Sequence, residues 1–198
     1  CALCKGAGKR IREVVYIKKK AAYIGKSGGK EMEVAVYGYG NIGSGVVEVI
    51  ERNQDVVAKG AGCDIHVKYV LDLRDFEGQP IQERVVHDVD VIVNDPEIKI
   101  VCETMGGVEP AYTFTRKALE AGKSVCTSNK ELVARHGAEL IQIAEEHHCN
   151  YFFEASVGGG IPIIRTIKSA LRQEHILNIS GIVNGTTNYI LTKMDREG

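Results

Sequence analysis

The chain has 198 residues, 44% of them hydrophobic and 26% charged, with 25 Lys and Arg against 26 Asp and Glu. That composition suits one globular domain, or one domain and part of a second, and a net charge of −1 argues against a dedicated nucleic-acid binder. No apolar run reaches the ~18 residues that a membrane-spanning helix needs, and no stretch reads as a secretory signal.

In chain order, the first element is a basic leader. Residues 1–30 carry nine Lys and Arg against Glu13 alone, a net of +8, whereas residues 31–198 carry 16 against 25, a net of −9. The leader is expected to be an unstructured extension. It holds one Cys-x-x-Cys pair, Cys1 and Cys4, without the two further ligands that a zinc site requires. It also holds Gly25-Lys26-Ser27, but position 20 is Lys where a phosphate-binding loop needs Gly. The six cysteines (1, 4, 63, 102, 126 and 149) lie mostly in apolar runs, so they read as reduced thiols in a cytoplasmic protein.

Val34 to Tyr37 is a short buried strand ending in a glycine turn. Ile42, Val46, Val49 and Ile50 then recur on one face of a helix reaching about residue 58. Ile65 to Leu73 is the second strand, and Ile98 to Glu103 another, introduced by the Asp95-Pro96 turn. Residues 110–121 read as a helix and Ser124 to Thr127 as a strand. Ser128 with Glu131 spells a capping box opening a helix to about His148, with Val133, Leu140, Ile141 and Ala144 on its buried face. Tyr151 to Glu154 is a last strand before the Gly158-Gly159-Gly160 loop. Strands alternating with helices predict parallel βαβ units: a Rossmann-type, doubly wound α/β domain over 31–157. From residue 158 the pattern changes to a helix (163–171), a strand (176–183) and a helix opening at Asn184, the expected start of an α+β catalytic domain that residues 158–198 leave incomplete.

Gly38-Tyr39-Gly40-Asn41-Ile42-Gly43 is G-x-G-x-x-G between a strand and a helix, the setting in which that string binds a dinucleotide pyrophosphate. Asp72, 34 residues after Gly38, and Arg74 are two apart on the predicted second strand and point the same way. An acid there suits a free ribose 2′-hydroxyl and an arginine a 2′-phosphate, so these residues leave NAD and NADP both open. Lys130, at a helix start where a cation opposes the dipole at a cost of ~0.3–1 kcal/mol, is a candidate functional lysine. Glu154 precedes a glycine-rich loop whose carbonyls can wrap a hard cation or serve as a hinge. His147-His148 cannot share a helix face, and no G-x-S-x-G elbow is present.

Five ordered strings carry a resemblance: VYGYGNIGSG (36–45), VCETMGGVEP (101–110), AGKSVCTSNKELVA (121–134), EASVGGGIP (154–162) and GIVNGTTNYIL (181–191). Over residues 33–198 the chain resembles homoserine dehydrogenase. The resemblance implies reversible hydride transfer between NADP or NAD and the pair L-homoserine and L-aspartate 4-semialdehyde, on the way to threonine and methionine. It implies cofactor contacts from Gly38, Tyr39, Gly40, Asn41, Ile42, Gly43, Ser44 and Gly45, with Arg74 favouring NADP beside Asp72. Thr104 lines the nicotinamide side, Lys130 contacts cofactor and substrate, and Thr186 lies near the substrate. Glu154, Val157, Gly159 and Ile161 match a monovalent-cation site for Na⁺ or K⁺. The family's general acid–base lysine follows the N-G-T-x-N-Y-I helix, so it is expected beyond Gly198, and no catalytic residue is expected within 1–198. The implied partners are the small-molecule substrate and, for the full-length protein, a second copy, with neither membrane nor nucleic acid. Two other readings are a dehydrogenase for a different aldehyde and a non-catalytic dinucleotide-binding module.

Overall fold

Along the first strand, successive side chains leave in opposite directions and every one of them is buried from Val34 onward, so both faces of the sheet must be covered. A computed structural model, which describes residues 31–182 and 184–197, shows how. Six strands run parallel: β1 (Met32–Tyr37), β2 (Ile65–Leu71), β3 (Val85–Val86), β4 (Ile98–Glu103), β5 (Ser124–Thr127) and β6 (Tyr151–Phe152). Their order in the sheet is β3-β2-β1-β4-β5-β6, the doubly wound Rossmann arrangement, with the reversal of direction between β1 and β4.

The helices are α1 (Asn41–Arg52), α2 (Gln54–Ala61), α3 (Val89–Val93), α4 (Ala111–Glu120) and α5 (Lys130–Glu146). Val34 and Val36 pack with Val67, Val70 and Val47 of α1 on one face. Ala35 and Tyr37 pack with Val101, Val125, Leu119 of α4 and Leu132 and Leu140 of α5 on the other. The chain divides into two compact units, one ending at Phe153 and one beginning at Glu154. The second holds α6 (Ile163–Ser169) and α7 (Gly185–Glu197). No helix among the described residues is long and apolar enough to cross a membrane. Cys63, Cys102 and Cys126 are free thiols. The Cys1/Cys4 pair, the Gly25-Lys26-Ser27 string and Gly198, the residue beyond which the acid–base lysine is expected, lie outside the described residues.

Several local expectations need correction. The first predicted helix is two helices, which part at Asn53: its backbone leaves helical dihedrals (φ −114°, ψ 32°), while its amide and its side chain both donate to the Val49 carbonyl at 3.1 Å. Its inward face is Gly43, Val46, Val47 and Ile50, whereas Ile42 and Val49 are each 55% exposed. α5 is capped by Asn129, whose Oδ1 accepts from the Leu132 amide at 3.0 Å, rather than by Ser128. Leu132 and Ile143 join Leu140 and Ala144 on its buried side, while Val133 and Ile141 are only half-buried. The second strand stops at Leu71, so Asp72 and Arg74 leave it in a bend. Residues 176–182 form no strand: among the described residues the second unit contains no other strand to accept their backbone bonds. The turn of 3-10 helix at Pro80–Arg84, β3 and α3 were not predicted at all.

Candidate functional site

β1 delivers the chain to the carboxyl edge of the sheet at the point where strand order reverses, which is where ligands of open α/β sheets bind. Gly38 turns the chain with φ +86°, a conformation that other residues rarely adopt, and its amide bonds to the Leu71 carbonyl at 2.8 Å. Gly43 must be glycine for a different reason: a Cβ there would sit 1.9 Å from the Gly38 carbonyl oxygen. α1 is thereby pressed against the turn. Gly40, its N-cap, faces open space, and a Cβ at that position would meet nothing within 4 Å. The first turn of α1 contains no acid, and Gly40 offers no side-chain cap, so its amides are available to an anion. Tyr39, Asn41, Ile42, Ser44 and Gly45 complete this segment; Ser44 commits its hydroxyl to the Asn41 carbonyl at 3.3 Å.

Asp72 and Arg74 reach the same turn from the end of β2. Asp72 Oδ2 accepts from the Tyr39 amide at 2.8 Å and from Arg74 Nη2 at 3.0 Å, and Oδ1 accepts from Arg74 N and Nε, each at 3.0 Å. These bonds, with the Arg74 charge and despite partial burial, hold the carboxyl well below the usual carboxylate range. Arg74 Nη2 also donates to the Tyr39 carbonyl at 3.1 Å, and its guanidinium lies 5.2 Å from the centre of the Phe76 ring. Asp72 is thus an anchor for Arg74 with its acceptor positions taken. The outward-facing group is the arginine, which is 61% exposed. His87, for which the sequence held no signal, donates from Nδ1 to the Asp72 carbonyl at 2.7 Å, which raises its pKa.

On the far side of the turn, Thr104 follows β4. Its amide bonds to the Tyr37 carbonyl at 2.9 Å, and its hydroxyl lies 2.9 Å from both the Tyr37 and Gly38 carbonyls. Lys130 opens α5, exposed and with no ion pair among the described residues. It is placed by Asn129, whose Nδ2 donates to the Gly107 carbonyl at 2.6 Å. Beneath both lies Glu103, fully buried, which motif and spacing did not single out; a lone acid directly after the apolar run Ile100 to Cys102 was its signal. Burial raises its pKa against the bonds that it accepts.

The remaining candidates belong to the second unit. Glu154 accepts from the Ile164 and Arg165 amides at 2.9 and 2.7 Å, capping α6 with its carboxylate. Between them, Gly158 and Gly159 adopt φ of 73° and 58°, and the Ile161 amide bonds to the Gly158 carbonyl at 3.1 Å. The Glu154 and Ile161 carbonyls accept from the Val157 and Ile163 amides. Among the described residues no cluster of three His, Cys, Asp or Glu is placed to hold a metal, so a cation here would rest on carbonyls. Thr186 stands exposed in the first turn of α7, which Asn184 caps through the Thr187 amide at 2.8 Å.

Comparison with known proteins agrees with this geometry. The family model for the NAD-binding domain of homoserine dehydrogenase matches residues 38–154, and that for homoserine dehydrogenase itself matches 162–198. The chain is 42% identical to a homoserine dehydrogenase of Bacillus subtilis over 172 residues, covering 85% of this chain and 40% of the relative. One from Mycobacterium tuberculosis is 43% identical over 171 residues, 85% of this chain and 38% of the relative. The crystal structure of a homoserine dehydrogenase from Thiobacillus denitrificans superposes with a TM-score of 0.80 at 36% identity, covering 86% of this chain and 40% of that one. A hyperthermophilic archaeal homoserine dehydrogenase in complex with NADPH gives 0.72 at 26% identity, covering 85% and 58%. The chain spans about 40% of the length of the curated relatives that it matches. With the glycine turn inside the first matched segment and α7 inside the second, the chain belongs to the homoserine dehydrogenase family.

Proposed function

We propose that this chain supplies the dinucleotide site, and part of the substrate site, of an NAD(P)-dependent oxidoreductase interconverting L-homoserine and L-aspartate 4-semialdehyde. The observation that carries the proposal is the glycine turn: a close-packed Gly43, an open Gly40 and uncapped helix amides make a cradle for a pyrophosphate. Residues 38–45 hold that group, Arg74 takes a 2′-phosphate and so favours NADP, and Thr104 and Lys130 border the nicotinamide. When bound, the nicotinamide supplies hydride transfer to or from the substrate carbon.

The chain's own contribution is position and charge. The α1 amides neutralise pyrophosphate charge, Arg74 fixes the adenosine end, and the lysine ammonium offers an electrostatic contact to substrate oxygen. The proton of the substrate alcohol is assigned to a lysine in the part of the family that follows the N-G-T-x-N-Y-I helix, beyond the position of Gly198. The cofactor domain, drawn from the sequence as 31–157, has its compact body end at Phe153, and Thr186 of the second unit is assigned to the substrate. The loop carbonyls of Val157, Gly159 and Ile161, with Glu154, hold Na⁺ or K⁺, supported by the positive-φ turn at Gly158 and Gly159. The full-length protein acts as a homodimer in the cytoplasm.

Titration of NADPH into the chain, followed by its fluorescence, tests the cofactor assignment. Homoserine-dependent reduction of NADP⁺ by a protein carrying this chain within the full family length tests the activity. Failure of that protein to reduce NADP⁺ with homoserine, while binding NADPH, would redirect the reading to another aldehyde.

A further inference from the structure

We propose that Glu103 is a positioning residue of this site: its buried carboxyl group ties together the loops leaving β4 and β5, and so sets where the nicotinamide half of the dinucleotide lies. The inference rests on the dehydrogenase reading above and names a group outside the glycine turn on which that site depends.

Glu103 is the last residue of β4, in register with Tyr37 of β1 and Thr127 of β5, and it has no exposed surface. Its Oε1 accepts from the Met105 amide at 2.7 Å. Its Oε2 accepts from the Thr127 hydroxyl. That hydroxyl oxygen in turn accepts from the Asn129 amide at 2.9 Å, and the Glu103 carbonyl accepts from the Ser128 amide at 3.2 Å. The Asn129 side chain then closes the circuit on the Gly107 carbonyl. One carboxyl group therefore governs two loops, 104–107 and 128–130. Thr104 lies inside the first, and Lys130 ends the second.

Around the Thr127 hydroxyl and Glu103, this face is otherwise core: Tyr37, Val101 and Val125 are each fully buried. An apolar side chain of similar volume would fill the space without the desolvation cost of an acid. What an apolar side chain cannot do is accept from Met105 and Thr127 together, and a fully satisfied buried network specifies a single arrangement of the groups that it links. In a doubly wound sheet the two nucleotide halves lie on either side of the strand-order reversal. Arg74 marks the β2 side of it, so the loops after β4 and β5 serve the other half. With no exposed surface, the Glu103 carboxyl acts through the two loops that it links.

The test compares two probes in the 198-residue chain: NADPH, which spans both halves, and adenosine 2′,5′-bisphosphate, which occupies the adenine half alone. Glu103→Ala and, separately, Thr127→Val should weaken NADPH binding by about tenfold while leaving adenosine 2′,5′-bisphosphate within about twofold, the loss of one or two network bonds being of that order. Glu103→Gln, which keeps the shape and one acceptor, should recover most of the NADPH affinity. Thr127→Val preserves core volume, so it decides the matter if Glu103→Ala does not fold. Equal losses for both probes, or no loss for either, overturn the proposal and assign Glu103 to fold stability alone. If the unsubstituted chain binds neither probe, the cofactor reading falls and this inference with it.

Discussion

Arg74→Ala should shift cofactor choice towards NAD by an amount that the geometry bounds. In the guanidinium, Nε and Nη2 are committed to Asp72 and Tyr39, while Nη1 has no partner among the described residues. A 2′-phosphate would thus gain one or two charge-assisted bonds from a side chain that is 61% exposed. Charge-assisted hydrogen bonds are the stronger kind, and exposure with a neighbouring carboxylate discounts them, which leaves a factor of about ten in affinity. NAD has no phosphate to lose. It stands to gain, since removing Arg74 frees Asp72 acceptors for a ribose hydroxyl. The expected outcome is a fall of about tenfold in the ratio of NADPH to NADH affinity, measured by fluorescence titration of both cofactors. In the unsubstituted chain the ratio should also fall between 0.1 and 1 M salt, as the Debye length contracts from about 10 to about 3 Å, and in the variant it should not. An unchanged ratio, or equal salt dependence in both proteins, refutes the assignment of Arg74 to the phosphate.

Three further outcomes are expected. Gly40→Val should fold normally, since its Cβ meets nothing, yet lose NADPH affinity by tenfold or more; Gly43→Ala, whose Cβ would strike the Gly38 carbonyl, should instead lower Tm by several degrees through an overpacking cost of ~1–3 kcal/mol. Because burial raises the Glu103 pKa, its contribution to stability is full below the unfolded carboxylate value and is lost as pH rises through the folded one; Glu103→Gln should flatten the dependence of urea-unfolding free energy on pH in that window, and an unaltered slope contradicts the sign. Finally, the 198-residue chain should bind cofactor without turning over homoserine, whereas a protein of full family length should do both; comparable kcat values would place the acid–base group within residues 1–198 rather than beyond Gly198, with Lys130 examined first.

The parts of this protein legible in its sequence are those governed by local rules. The glycine string between a strand and a helix, the β4 and β5 runs and the parallel layering follow from short-range periodicity. β3 escaped notice because two residues carry no alternation, and the break at Asn53 because one residue outside helical dihedrals does not interrupt the sequence pattern. At the site, spacing found Asp72 and Arg74 but misjudged their relation, because the strand ends at Leu71, before either of them. Their pairing depends on a bend and on the Tyr39 backbone, which lies 33 residues from Asp72 in the sequence. Glu103 was visible as a charge in an apolar run. Its partners Thr127 and Asn129 were not, since only the β4–β5 register brings them within reach.

The two outermost strands of the sheet, Val85–Val86 and Tyr151–Phe152, are each only two residues long. A sheet rim is a template onto which any extended peptide can zip, and the grip of that template grows with the number of open amide and carbonyl groups in a row. Here both rims are too short to recruit another strand securely, and β3 covers β2 only at Val70 and Leu71. Each rim strand therefore offers an incoming peptide a row of only two residues to zip onto.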